Sequence, residues 1–113
     1  METIDTATFN ELRETAGPEF VTELVDTFLE EAPRMLADLK SARDAADADR
    51  FRRAAHSIKS NASTFGALEL ASLARALELG GLAADPARDV EAMAALDAAY
   101  GRAAAALKGM SHG

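Results

Sequence analysis

The sequence has no cysteine, and only 5% of its 113 residues are aromatic. Without cysteine there is no disulfide framework and no thiolate metal site. That fits a reducing compartment, and a cytoplasmic location is expected. No run of about 18 apolar residues occurs, so no segment is suited to span a membrane. Met1 to Asp5 lack the basic-then-apolar order of a signal peptide. Bases are scarce: 12 against 19 acids, a net charge of −7. An acidic chain is a poor partner for nucleic acid or an anionic membrane surface, both of which need a basic face. β-Branched residues are few and scattered, which argues against a sheet. There is no low-complexity linker and no internal repeat.

What remains is a chain rich in alanine and other helix formers. Its 113 residues suffice for one compact domain, residues 1–113, and are too few for two. The last few residues are expected to be disordered. Breaks fall at Gly17-Pro18, Asp47-Ala48-Asp49, Phe65-Gly66, and from Gly80-Gly81 to Asp85-Pro86, cutting the chain into five helical segments. The first, about 5–16, carries Phe9 and Leu12. The second, about 18–46, repeats Val21, Leu24, Val25, Phe28, Leu29, Leu36 and Leu39 at three- and four-residue steps. Pro33 interrupts this stripe, but the stripe resumes in phase, so a kink is expected rather than a break. The third, about 48–64 with Asp47 or Asp49 as N-cap, buries Phe51, Ala55, Ile58, Ala62 and Phe65. The fourth, about 67–79, buries Leu70, Leu73, Ala74 and Leu77, with Gly80 as its C-terminal cap. The fifth, about 87–108, buries Val90, Met93, Leu96, Tyr100 and Leu107. Long helices with one apolar stripe and short loops predict an all-α, antiparallel up-down-up-down four-helix bundle, with the short first helix capping one end.

The charge is unevenly placed. Residues 1–49 hold 13 acids and 4 bases, whereas residues 50–60 hold no acid and 4 bases, Arg50, Arg52, Arg53 and Lys59. In that basic stretch lies His56; the other histidine, His112, sits in a Gly-flanked tail. At helical spacing the same-face neighbours of His56 are Arg52, Arg53, Lys59, Ser60 and Ser63, none of them large and apolar. The imidazole is therefore expected to be exposed among cations and small hydroxyl residues. An imidazole is largely neutral at pH 7, which leaves one ring nitrogen free to attack phosphorus. The product carries about −1.5 to −2 charges by analogy with other phosphoresidues. Lys59, one turn on, can offset that charge.

The run from Ala55 to Ala67, with its Ala55-His56, Lys59, small residues and Phe65-Gly66-Ala67, is followed by Leu70-Ala71, Leu73-Ala74 and Leu77-Glu78. This pattern strongly resembles the histidine phosphotransfer (HPt) domain, and the layout of the rest, including the long proline-interrupted helix, is similar too. The resemblance implies that His56 accepts phosphate from a receiver-domain aspartate and returns it to another receiver, with Lys59 assisting the phosphorylated state. It implies response-regulator receiver domains or a hybrid histidine kinase as partners. It places Ser60 at the small-residue position beside the ring, where the family most often has glycine. Asn61 replaces a more usual serine or alanine and is expected to hydrogen-bond near the site.

There is no Gly-rich phosphate loop and no acid cluster of the Mg²⁺-binding type. The chain is therefore expected to be a phosphoryl carrier and not an enzyme. It needs no cofactor or metal of its own, the Mg²⁺ being expected on the receiver. Independent catalysis lacks an acid partner for His56. A di-metal bundle needs Glu-x-x-His pairs, and position 53 is arginine. The alternative is a bundle that binds a receiver or kinase without phosphate transfer. In either case the expected docking surface is Arg52, Arg53, Ser60 and Ser63 around His56, with Phe9 and Leu12 as apolar candidates, and the chain is expected to be monomeric.

Overall fold

The computed structural model describes residues 3–82 and 86–112. Five helices lie among the described residues: α1 (Thr6–Ala16), α2 (Pro18–Asp44), α3 (Ala48–Thr64), α4 (Leu68–Gly80) and α5 (Pro86–His112). Each boundary has a local cause. Asp5 opens α1, its side chain accepting from the Thr8 N–H. Gly17, at φ 93°, ends α1 and precedes Pro18, which starts α2 where its missing N–H is harmless. Asp47 caps α3 by accepting from the Arg50 N–H at 3.1 Å.

The α2–α3 and α3–α4 turns share one geometry. Asp47 N–H donates to Ala42 C=O and Ala46 N–H to Arg43 C=O; likewise Ala67 N–H donates to Ala62 and Gly66 N–H to Ser63. Both are Schellman turns, which need one left-handed residue. Gly66 (φ 78°) fills that position in the second, Ala46 (φ 55°) in the first. After α4 the left-handed residue is Gly81, not Gly80; Gly80 completes the helix and the Gly81 N–H closes on Leu77 C=O. With two adjacent glycines, local sequence could not say which would turn.

α2 packs on α3, α3 on α4, α4 on α5, and α5 back on α2, which closes the antiparallel four-helix ring. α2 and α5 have 27 residues each and outreach α3 (17) and α4 (13). α1 packs on α2 and also touches α3, and Ile4 just before it and Phe9 within it are buried in the same core as Val25, Phe28 and Phe65. The backbone of α2 passes through Pro33 without a break. Proline cannot donate to the carbonyl four residues earlier, that of Leu29. The Tyr100 hydroxyl of α5 donates to that same oxygen at 3.4 Å, and the Tyr100 ring stands edge-on to Phe28.

Val90, expected in the core, is 62% exposed. The inward position one residue earlier belongs to Asp89, which is buried and pairs with Arg43 of α2 at 2.7 Å. A stripe of apolar periodicity points to Val90, but the ion pair sets the rotation of this end of α5, and the stripe runs Asp89, Met93, Leu96. Leu12, Leu24, Leu29, Leu73 and Tyr100 line the core edge, half-buried. The helix of α5 continues to His112, beyond the expected end at 108. The side chains of residues 86, 111 and 112 and all of residues 1, 2, 83–85 and 113 lie outside the described residues; the expected disorder of the tail falls partly there.

Candidate functional site

α3 turns Phe51, Ala55, Ile58 and Ala62 inward, and this sets its opposite face outward. That face carries His56, with its side chain 58% exposed, together with Arg52, Arg53, Ser60 and Ser63. The sequence expectation of an exposed imidazole holds. The charge environment differs from expectation. Asp49, one turn before, pairs with both Arg52 (2.8 Å) and Arg53 (3.3 Å). The hydrogen bond from Arg52 and the nearby Arg53 charge hold the Asp49 carboxyl below its ordinary range.

The larger difference is Glu78. His56 does have an acid partner, contrary to the sequence reading. Nδ1 lies 3.1 Å from Oε1 of Glu78, on α4. The other carboxylate oxygen, Oε2, is fully buried and lies 2.9 Å from Lys59 Nζ. That contact is an ion pair. The Glu78 side chain is only 18% exposed, since it lies in the seam between α3 and α4. Lys59 first, then His56, hold its carboxyl below the ordinary range, while partial desolvation pushes the other way. Glu78 was visible as part of the Leu77-Glu78 pattern but not as a partner of the ring. One signal could have found it. His56 precedes the Gly66 turn by ten residues and Glu78 follows it by twelve, so an antiparallel hairpin of helices brings the two level.

A carboxylate only accepts hydrogen bonds, so Nδ1 must carry the proton. The lone pair is then on Nε2, which faces outward, with Ser60 Oγ at 3.5 Å. The result is an exposed imidazole held from behind at Nδ1, its other nitrogen carrying the lone pair, with an ammonium one turn away. Asn61 does not turn to the ring: its amide donates to Ser57 C=O at 2.8 Å. Thr64 Oγ1 donates to Ser60 C=O. Arg52, Arg53, His56, Ser57 and Glu78 line a surface depression beside the ring.

Phe9 is fully buried, so it belongs to the core and not to a docking surface. Leu12 is half-buried. The start of α1 meets the end of α3, where Asp5 N–H donates to Gly66 C=O at 2.7 Å. That point is roughly 15 Å along the axis from His56 at 1.5 Å per residue.

Comparison with family models matches residues 23–106, well over half of the chain, to the Hpt domain. The chain belongs to the Hpt domain family. Comparison with curated proteins and with solved structures gave no match. The matched span of this Hpt domain covers His56, Lys59 and Glu78 and leaves out α1 and the start of α2. Membership gives a phosphotransfer-type role in phosphorelays and a phosphocarrier in place of a kinase, with receiver domains and kinases as the class of partner. No helix among the described residues is long and apolar enough to cross a membrane.

Proposed function

We propose that this Hpt domain relays phosphoryl groups between receiver-domain aspartates through Nε2 of His56. The observation that carries this reading is the contact of Nδ1 with Glu78. It fixes the ring and leaves the outward nitrogen unprotonated. In the transfer step Nε2 attacks the phosphorus of a receiver's aspartyl phosphate. The N–P bond forms, the P–O bond to the aspartate breaks, and the carboxylate leaves. No proton has to be removed from the attacking atom. The ring that results bears a proton on Nδ1 and a phosphoryl group on Nε2, and is cationic. Glu78 balances that charge, and Lys59, paired with Glu78 one turn along α3, offsets part of the phosphoryl charge from the Nδ1 side. Because the Nδ1 proton can stay in place, the ring is also a competent leaving group for the onward step. Any Mg²⁺ is proposed to be supplied by the receiver.

The receiver must cover the outer face of α3, so Arg52, Arg53, Ser60 and Ser63 are proposed as its contacts. Ser60→Trp should then exchange phosphate with a receiver far more slowly while its melting stays close to wild type. The chemical test uses a phosphorylated receiver with Mg²⁺. The chain should gain label that is lost in mild acid and kept in base, and His56→Gln should gain none. Acid-labile label on the Gln variant would sink the assignment.

A further inference from the structure

This inference rests on the carrier reading and concerns what holds the phosphoryl group once it has arrived. Glu78 occupies Nδ1, which assigns phosphorus to Nε2. A phosphoryl group there puts its oxygens in the space next to that nitrogen, where Ser60 Oγ already stands at 3.5 Å. Lys59 is drawn toward Glu78, on the Nδ1 side of the ring. Ser60 sits one turn along α3 on the Nε2 side and is exposed, so its hydroxyl has room to rotate. Thr64 uses the Ser60 carbonyl and leaves the hydroxyl uncommitted to it.

We propose that the Ser60 hydroxyl is a ligand of the phosphoryl group, donating to one of its oxygens and lengthening the life of phospho-His56. In the free domain the hydroxyl donates weakly toward the Nε2 lone pair; after phosphorylation it exchanges nitrogen for a charged oxygen, a stronger acceptor. Phosphoryl transfer passes through a loose, metaphosphate-like transition state, in which the group carries less negative charge than the bound dianion. A donor on those oxygens therefore stabilises the ground state more than the transition state, and loss of phosphate slows. Glycine at this position has no such donor.

The full chain is phosphorylated with phosphoramidate, whose P–N bond breaks to release ammonia as the Nε2–P bond forms. The donor is removed and the label followed at neutral pH. Ser60→Ala should lose phosphate roughly two- to tenfold faster than wild type, the range of one net hydrogen bond. It should also shift the ³¹P resonance and melt as wild type does. Ser72→Ala, on the exposed side of α4, should match wild type. Equal half-lives for wild type and Ser60→Ala, or an equal effect at Ser72, overturn the Ser60 role and leave the carrier reading standing. Absence of acid-labile label on the wild-type chain from both phosphoramidate and a phosphorylated receiver overturns both.

Discussion

Glu78 acts on His56 through one proton and on Lys59 through one charge, so it can be tested apart from the proposed nucleophile. Glu78→Ala frees the ring to rotate and to take either tautomer. Phosphoryl acceptance should slow by about tenfold or more while His56 stays chemically intact. Glu78→Gln still accepts from Nδ1 but loses the ion pair, so its defect should be smaller. The acid limb of stability reads the same carboxyl. The folded Glu78 carboxyl titrates below its unfolded value. Its contribution to stability is therefore complete above the ordinary carboxylate range and is lost as pH falls through the lowered value. Thermal melts of Glu78→Gln should show a shallower acid decline than wild type. A second residue-scale case is Ala46, held at φ 55° and exposed in the α2–α3 turn. Ala46→Gly should stabilise the domain by about 0.5–1 kcal/mol, because the αL position suits glycine. A higher urea midpoint at unchanged m-value would show it.

At the scale of helices, two joints carry specific costs. Pro33 leaves the Leu29 carbonyl without its helical donor, and the Tyr100 hydroxyl takes that place. Burial pushes the Tyr100 phenol above its ordinary value, which keeps it a donor. Tyr100→Phe should cost about 1 kcal/mol, the price of one hydrogen bond. The same change with Pro33→Ala restored beneath it should cost less, since the carbonyl regains its own N–H. The second joint is Gly66. A Cβ there would lie 2.9 Å from Asp5 O and 3.0 Å from Thr8 Cβ, at a φ of 78°. Gly66→Ala should lower stability by roughly 1–3 kcal/mol through strain and displacement of α1. Phosphate acceptance by the folded fraction should persist, because Glu78 and His56 meet beyond that turn.

For the molecule as a whole, the ring of helices closes where α5 meets α2. Arg43, in the last turn of α2, and Asp89, in the first turn of α5, sit at that closure. Removing one partner of a buried pair strands the other, and Asp89→Ala should cost about 3 kcal/mol by equilibrium unfolding. Replacing both, Arg43→Met with Asp89→Leu, should recover most of that loss, since the apolar pair needs no compensation. Neither change touches the α3–α4 seam, so label transfer to His56 should be preserved in both.

The sequence alone determined the five helices, their breaks, the four-helix ring and the outward placement of His56, because caps, glycines and a 3.6-residue period act over a few residues at a time. It also located Lys59 and the small residues beside the ring, which lie within one turn. What it could not decide were relations across helices. The rotation of α5 was decided by the Arg43–Asp89 pair, which overrode the apolar period at Val90. Phe9 went to the core because α1 packs against both α2 and α3. The carboxylate behind the imidazole came from another helix, 22 residues away along the chain. Its distance to the ring exists only once α3 and α4 pack antiparallel, so it belongs to the tertiary structure and to no local run of residues.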